Sequence, residues 1–186
     1  MRRSIIVGIS GASGVIYAVR MLEILQQYPE IETHLIVSRW AVETLKHETD
    51  YQLEYLHGLV TKVYDNEDLA AAVSSGSFRT EGMIIIPASM KSVAGMACGY
   101  AEELLIRAAD VTLKEGRKLV VVPRETPMSA IHLENLLTLS RAGAVILPPL
   151  PGFYHRPQSI TDLIDHTIGK LLDQFSIEHD LFERWS

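Results

Sequence analysis

The chain is short of cysteine and of positive charge, and it lacks any long hydrophobic run. Cys98 is the only cysteine in 186 residues, which excludes an internal disulfide framework. The seven histidines, at 34, 47, 57, 132, 155, 166 and 179, form no H-x-x-x-H pair and have no cysteines at metal spacing, so no metal is expected. Lys and Arg number 17 against 23 Asp and Glu, a net charge of −6, which disfavours nucleic acid or an anionic membrane as the main partner. No apolar run is long enough to span a bilayer and no signal-peptide pattern is present, which points to a reduced, cytoplasmic setting. Pro/Gly/Ser-rich linkers, internal repeats and low-complexity tracts are also missing. With 47% hydrophobic residues, 1–186 is expected to be one domain with a full-sized core.

What is present begins with "SIIVGISGASGVIYAVRML". Ser4 to Ile9 has the length and β-branched content of a buried strand, and Gly14 to Leu25 carries apolar residues at helical spacing. The glycines therefore sit where a strand passes into a helix, and a helix N-terminus offers unpaired amides to an anion. A phosphate is the default ligand, with tight packing alone as the alternative. The spacing Gly8, Gly11, Gly14 does not fit the G-x-G-x-x-G fingerprint, and no Walker lysine follows. Ala12 also stands where the G-x-S-x-G elbow requires its final glycine.

Further apolar runs follow in "ETHLIVS", "GMIIIP", "KLVVVP" and "AVILPP", and helical patterns lie at about 39–47, 89–116, 129–142 and 159–175. Strands apolar throughout that alternate with helices predict a parallel sheet covered on both faces, an α/β three-layer αβα sandwich. "SITD" has the form of a capping box. Between Tyr51 and Arg79 the pattern is weakest, and "NEDLAAAVSSGSF" reads as a short helix and a polar turn.

Ligands of an open parallel sheet bind beyond the carboxyl ends of its strands. Those ends carry Ser10, Gly11, Ala12 and Ser13; Ser38 and Arg39; Ala88 to Ser92; Arg124, Glu125 and Thr126; and "PPLPGFYHRP". Small hydroxyls and glycines beside charges suit a nucleotide or a flavin. Arg107, Asp110 and Lys114 share a helical face, and they read either as a solvated ion-pair ladder, with Glu103 pairing Arg107, or as part of a site. Tyr154 lies in a loop with four prolines, which either presents it or forms an ordinary lid. Lys91 points at a ligand phosphate or at water. Cys98 reads as buried packing, His132 as a satisfied helix histidine, and Trp40 and Trp185 as packing or subunit-contact residues.

Together "GISGASG", "PASMKSVAG", "RAADVTLKEGRKLVVVPRETPMSAIHLENLLTLS" and "GAVILPPLPGFYHRPQSITDLI" resemble the UbiX-type flavin prenyltransferases. The resemblance implies a flavodoxin-like or Rossmann-like αβα fold and transfer of a dimethylallyl group from dimethylallyl phosphate to reduced FMN. The product, prenylated FMN, would serve a UbiD-type decarboxylase. By the same resemblance Gly11, Ala12 and Ser13, with Ser38, Ser89, Met90, Lys91, Ser92 and Arg124, contact FMN, and Ser13 lies near the reacting ring nitrogen. Arg107, Lys114, Tyr154 and Lys170 match the phosphate cradle, while Glu125 and Glu48 match acidic residues at the reaction centre. Many relatives carry Cys in place of Ala88 and Arg in place of Lys170, the latter exchange giving up a bidentate fork. Relatives of this type form homododecamers with the site at subunit junctions.

Other readings remain beside it. A flavin-binding accessory subunit of an aromatic acid decarboxylase would share the glycine turn but would not need Glu125 or Lys114. Direct flavin-dependent decarboxylation is a third, and an NADP-dependent reductase using Arg39 is weakened by the glycine spacing.

Overall fold

The structure, a computed structural model, describes residues 3–185. Strands β1 (Arg3–Ile9), β2 (Ile31–Val37), β3 (Lys62–Tyr64), β4 (Gly82–Ala88), β5 (Lys118–Pro123) and β6 (Val145–Ile146) form one parallel sheet in the order β3-β2-β1-β4-β5-β6. Helices α1 (Val15–Leu25), α2 (Arg39–Glu48), α3 (Leu53–Gly58), α4 (Met90–Cys98), α5 (Leu104–Lys114), α6 (Ala130–Arg141) and α7 (Ile160–Gln174) cover its two faces. The three-layer αβα expectation is thus met. The strand order reverses between β1 and β4, which is the switch point of the Rossmann-type doubly wound sheet.

Alternation along the strands splits the core in two. Ile5, Val7 and Ile9 of β1 point with Leu35, Ile84 and Val120 toward α1, α2, α3 and α7, whereas Ile6, Ile36, Met83 and Val121 point toward α4, α5 and α6. Every residue of β4 is buried, as a central parallel strand requires.

Several sequence expectations are corrected. The helix expected over 89–116 is two helices, because Gly99 adopts φ +72° and closes α4 with a left-handed cap before α5 begins. In the weakly patterned 51–79 segment lie α3 and the edge strand β3, both unforeseen, while "NEDLAAAVSSGSF" contributes only a 3₁₀ turn at Ala72–Ser74. Three residues of strand and one helical turn carry too little periodicity to be seen. "AVILPP" supplies just two strand residues, since the prolines that follow cannot donate to a ladder. Cys98 is exposed rather than buried, because the α4 turn that carries it ends at the surface. The "SITD" box is present as Ser159 and Asp162, and His132 forms a second one with Ser129, the satisfied role expected of it.

Candidate functional site

Beyond the carboxyl end of β1, buried Ser10 donates its hydroxyl to the Pro87 carbonyl at 3.0 Å and accepts the Ser89 amide at 2.7 Å. It ties the glycine turn to the start of α4. On the other side the Ser38 amide donates to the Ile9 carbonyl at 2.9 Å, which fixes the start of α2 against the same strand end. Both helices open on a serine cap: Ser38 Oγ accepts from the Ala41 amide at 3.3 Å, and Ser89 Oγ from the Ser92 amide at 3.2 Å. Two positive helix ends therefore converge at the switch point of the sheet.

Between them lies a cavity of about 490 Å³, within the usual range for a small-molecule site. Gly11, Ser38, Arg39, Trp40, Asn66, Glu67, Ser89, Lys91, Ser92 and Glu103 line it. Gly11 packs flush on Trp40, and a Cβ there would stand 2.4 Å from the tryptophan Cβ. Lys91 pairs with Glu103, which also accepts from Asn66 Nδ2 at 3.2 Å. Burial pushes the Glu103 carboxyl up, but the Lys91 and Asn66 hydrogen bonds outweigh it and hold the group below its ordinary value. The expected Glu103–Arg107 pair is thus absent, because Glu103 is the N-cap of α5 and faces Lys91 instead.

The glycine turn is organised differently from the expectation. Gly14 holds φ +95° and the Glu48 carboxylate accepts from the Gly14 amide at 2.8 Å and the Val15 amide at 3.3 Å. A side-chain anion from the end of α2 therefore occupies the amides that the sequence left for a phosphate. The amides at the starts of α2 and α4 are the better anion sites. Gly11, which lines that cavity, and Ala12 are partly buried, and Ser13 is exposed. Met90 packs on the second core at the first turn of α4.

Arg124 and Glu125 lie at the same rim, since the Arg124 amide donates to the Ala88 carbonyl at 3.1 Å. Glu125 Oε1 accepts from the Thr126 amide at 3.0 Å. The remaining candidates are elsewhere. Lys114 ends α5 just before β5 begins and pairs with Glu115 beside Gly76, at the amino edge of the sheet. A seven-residue strand separates the two edges, which is about 20 Å. Arg107 hydrogen-bonds the Ser74 carbonyl and pairs with Asp110 at 2.7 Å, as the ladder reading expects. Tyr154 and Lys170 lie on the α7 side, across the sheet from α5.

On that side a C-terminal clasp closes over α7. Tyr154 Oη is 2.8 Å from His166 Nε2, and Trp185 meets the Tyr154 ring edge-on at 5.8 Å. Lys170 Nζ lies 3.5 Å from Asp173, which also binds Arg184 at 2.7 Å and His179 at 3.2 Å. The Arg184 hydrogen bond, helped by His179, holds the Asp173 carboxyl down at about 2 against its burial.

The sequence reading missed Asn66, Glu67 and Glu103 as cavity residues and gave Trp40 to packing or subunit contact. Asn66 closes the N-terminus of α5, accepting the Leu104 amide with its carbonyl and the Leu105 amide with its side chain, at a separation in sequence that leaves no local signal. Arg39 and Trp40 directly follow the Ser38 cap, and that capping pattern was the usable signal. Among the described residues no group of three or more His, Cys, Asp or Glu side chains is placed to hold a metal, and no helix is long and apolar enough to cross a membrane.

A doubly wound parallel sheet with two capped helix ends over a cavity at its switch point is the frame of a nucleotide- or flavin-binding protein. The Flavoprotein family model matches residues 1–177, and the chain belongs to that family. It is 55% identical over 183 residues to the flavin prenyltransferase LpdB of Lactiplantibacillus plantarum, covering 98% of each chain. Its structure matches that of AnUbiX (PadA1) in complex with FMN and dimethylallyl pyrophosphate with a TM-score of 0.98, at 48% identity over 100% of this chain and 98% of that one. A dodecameric FMN-dependent UbiX-like decarboxylase from Escherichia coli O157:H7 matches with a TM-score of 0.97, at 50% identity over 98% of this chain and 99% of that one.

Proposed function

We infer that the chain is a flavin prenyltransferase, joining the dimethylallyl group of dimethylallyl phosphate to reduced FMN and yielding prenylated FMN for a UbiD-type decarboxylase. The observation that carries the reading is the pair of serine-capped helix ends opening on the Gly11 cavity. That cavity suits FMN: its volume is adequate, Trp40 offers a flat apolar wall, and Ser38, Ser89, Ser92 and Lys91 offer donors for a phosphate and a polar ring. Gly11, Ala12, Ser13, Met90 and Arg124 complete the contacts on this reading. Bound there, reduced FMN supplies the electron-rich ring that receives the five-carbon group.

The protein's own share is electrostatic. Breaking an allylic C–O bond places negative charge on the departing phosphate, and cations stabilise that charge most where water is excluded. Arg107, Lys114, Tyr154 and Lys170 are the groups for this, with Glu125 as proton donor to the phosphate and Ser13 as a proton relay at the ring. Glu48 keeps the turn that carries Ser13 in place through the Gly14 and Val15 amides. One chain holds these cations on opposite faces of its sheet, so the cradle closes only when copies of the chain bring them together. Ile131, Leu133 and Leu137 of α6, together with Leu150, Phe153 and Ile160, are large apolar side chains left in water, which supports a homo-oligomer of the dodecameric kind. We assign the protein to the cytoplasm, working as one domain.

The test is anaerobic incubation of the purified protein with reduced FMN and dimethylallyl phosphate, without added metal, followed by mass spectrometry of the extracted flavin. Gain of one five-carbon unit is expected. Unchanged FMN that copurifies would instead favour an accessory flavin carrier, and carbon dioxide released from an aromatic acid by this chain alone would favour direct decarboxylation.

A further inference from the structure

We propose that His166 is a positioning residue for the donor phosphate, acting through Tyr154 by setting which way that phenol directs its single hydrogen. The proposal rests on the prenyltransferase reading, which places Tyr154 in the phosphate cradle. His166 was not singled out by any sequence pattern; it is one of seven scattered histidines, lying mid-way along α7.

The geometry round this imidazole is closed on every side but one. His155 stacks on it in parallel, with centroids 4.8 Å apart and planes 10° from one another, and Phe182 packs at 4.8 Å. Gly152 admits the loop, since a Cβ there would stand 3.0 Å from His166 Cε1. Gly169 likewise admits the tail, because a Cβ would stand 2.4 Å from Phe182. The open side is Tyr154, whose ring lies edge-on at 78° and whose hydroxyl is 2.8 Å from Nε2. His166 is buried, whereas Tyr154 is 46% exposed. Three parts of the chain thus hold a buried ring against a phenol that still reaches solvent.

The groups facing His166 are His155 from the loop, Lys170 one turn further along α7, and Tyr154. Burial, then His155 and Lys170, push its proton affinity below the ordinary histidine value, so it is neutral at pH 7. A neutral imidazole has one donor and one acceptor nitrogen. With the proton on Nδ1, Nε2 accepts the phenol hydrogen and Tyr154 offers nothing to a ligand. With the proton on Nε2, the ring donates to the phenol oxygen and the phenol hydrogen turns outward to an anionic oxygen. The two arrangements differ only in which ring nitrogen carries the proton, so the net charge is unchanged. Phenylalanine at this position would fill the space yet leave the phenol free to rotate into water.

The experiment is steady-state kinetics on the assembled protein at saturating reduced FMN with dimethylallyl phosphate varied, for wild type, His166→Phe, His166→Asn, Tyr154→Phe and the Tyr154→Phe/His166→Phe double variant. His166→Phe is expected to raise KM for dimethylallyl phosphate about five- to tenfold with kcat little changed, the size of one ordinary hydrogen bond. His166→Asn, which keeps a donor and an acceptor, is expected to recover most of that loss, and the double variant to be no worse than Tyr154→Phe. If His166→Phe does not assemble, His166→Leu takes its place in the cycle. Additive losses in the double variant, or His166→Asn no better than His166→Phe, would overturn the positioning role while leaving the prenyltransferase reading intact. A silent Tyr154→Phe would overturn both the positioning role and the place of Tyr154 in the cradle, and absence of prenylated flavin from wild type would overturn the reading itself.

Discussion

At the carboxyl rim the turns and helix starts are fixed through backbone amides: Ser10 pins Ser89, the Ser38 amide is anchored on Ile9, and Glu48 ties down Gly14 and Val15. In the C-terminal clasp side chains hold one another instead, with Tyr154 on His166, His166 on His155 and Phe182, and Asp173 on Lys170, His179 and Arg184. The rim is preorganised because strand ends and helix starts leave it little freedom. The clasp is secured by rings and ion pairs that each contribute modestly and can part together. On the proposed reading, the fixed rim would seat the flavin and the separable clasp would belong to the phosphate side.

The sharpest way to break this contrast is at Lys114, which belongs to neither region within one chain. Lys114→Ala is expected to lower kcat/KM by about 10²–10³, the scale of one lost transition-state contact, while leaving FMN retention unchanged. Co-assembly of Lys114→Ala with Glu125→Ala chains should regain turnover that neither has alone, as measured by flavin mass spectrometry. If the mixture stays inactive, the cradle is not shared between copies.

A smaller effect is expected at the rim. Ser89→Ala removes the α4 cap at a cost of about 1 kcal/mol, lowering Tm by about 2–4 °C in a calorimetric melt, and FMN should dissociate more readily. Unchanged Tm and FMN affinity would show that Ser92 or Ser10 substitutes for the cap.

The clasp responds to acid. The Asp173 carboxyl titrates at about 2 in the fold against an ordinary 3.8, so the stability it lends is present above about pH 4 and is lost as pH falls toward 2. Trp185 fluorescence is expected to change over that window, and Asp173→Asn should remove the change. A Trp185 signal flat from pH 4 to 2 in wild type would sink the idea.

The smallest effect belongs to Cys98. Cys98→Ser at an exposed helix end should alter stability by less than about 0.5 kcal/mol in denaturant unfolding. A larger loss would mean that Cys98 is covered in the assembly.

Much of the rim was legible beforehand because its determinants are local. An apolar run, a serine and an amphipathic stretch recur at Val37–Arg39 and Ala88–Met90, where each triplet is a strand end, a cap and a helix start, while a glycine turn makes the same passage from β1 to α1. Residues 51–79 were not legible, since β3 is held at the sheet edge by pairing with His34, Leu35 and Ile36 rather than by its own periodicity. Trp40, read as a packing or subunit-contact residue, packs on Gly11 and also lines the cavity, a second position that only the fold reveals.

Apolar runs alternating with amphipathic stretches, being short-range signals, settled from sequence that this is a parallel αβα sandwich. Which groups meet across 12 or 34 residues was decided only in three dimensions. Glu48 on the Gly14 amide, Glu103 on Lys91 and His166 under Tyr154 are contacts of folded surfaces, chosen by shape and by the cost of leaving a buried polar group alone, and no spacing along the chain encodes them.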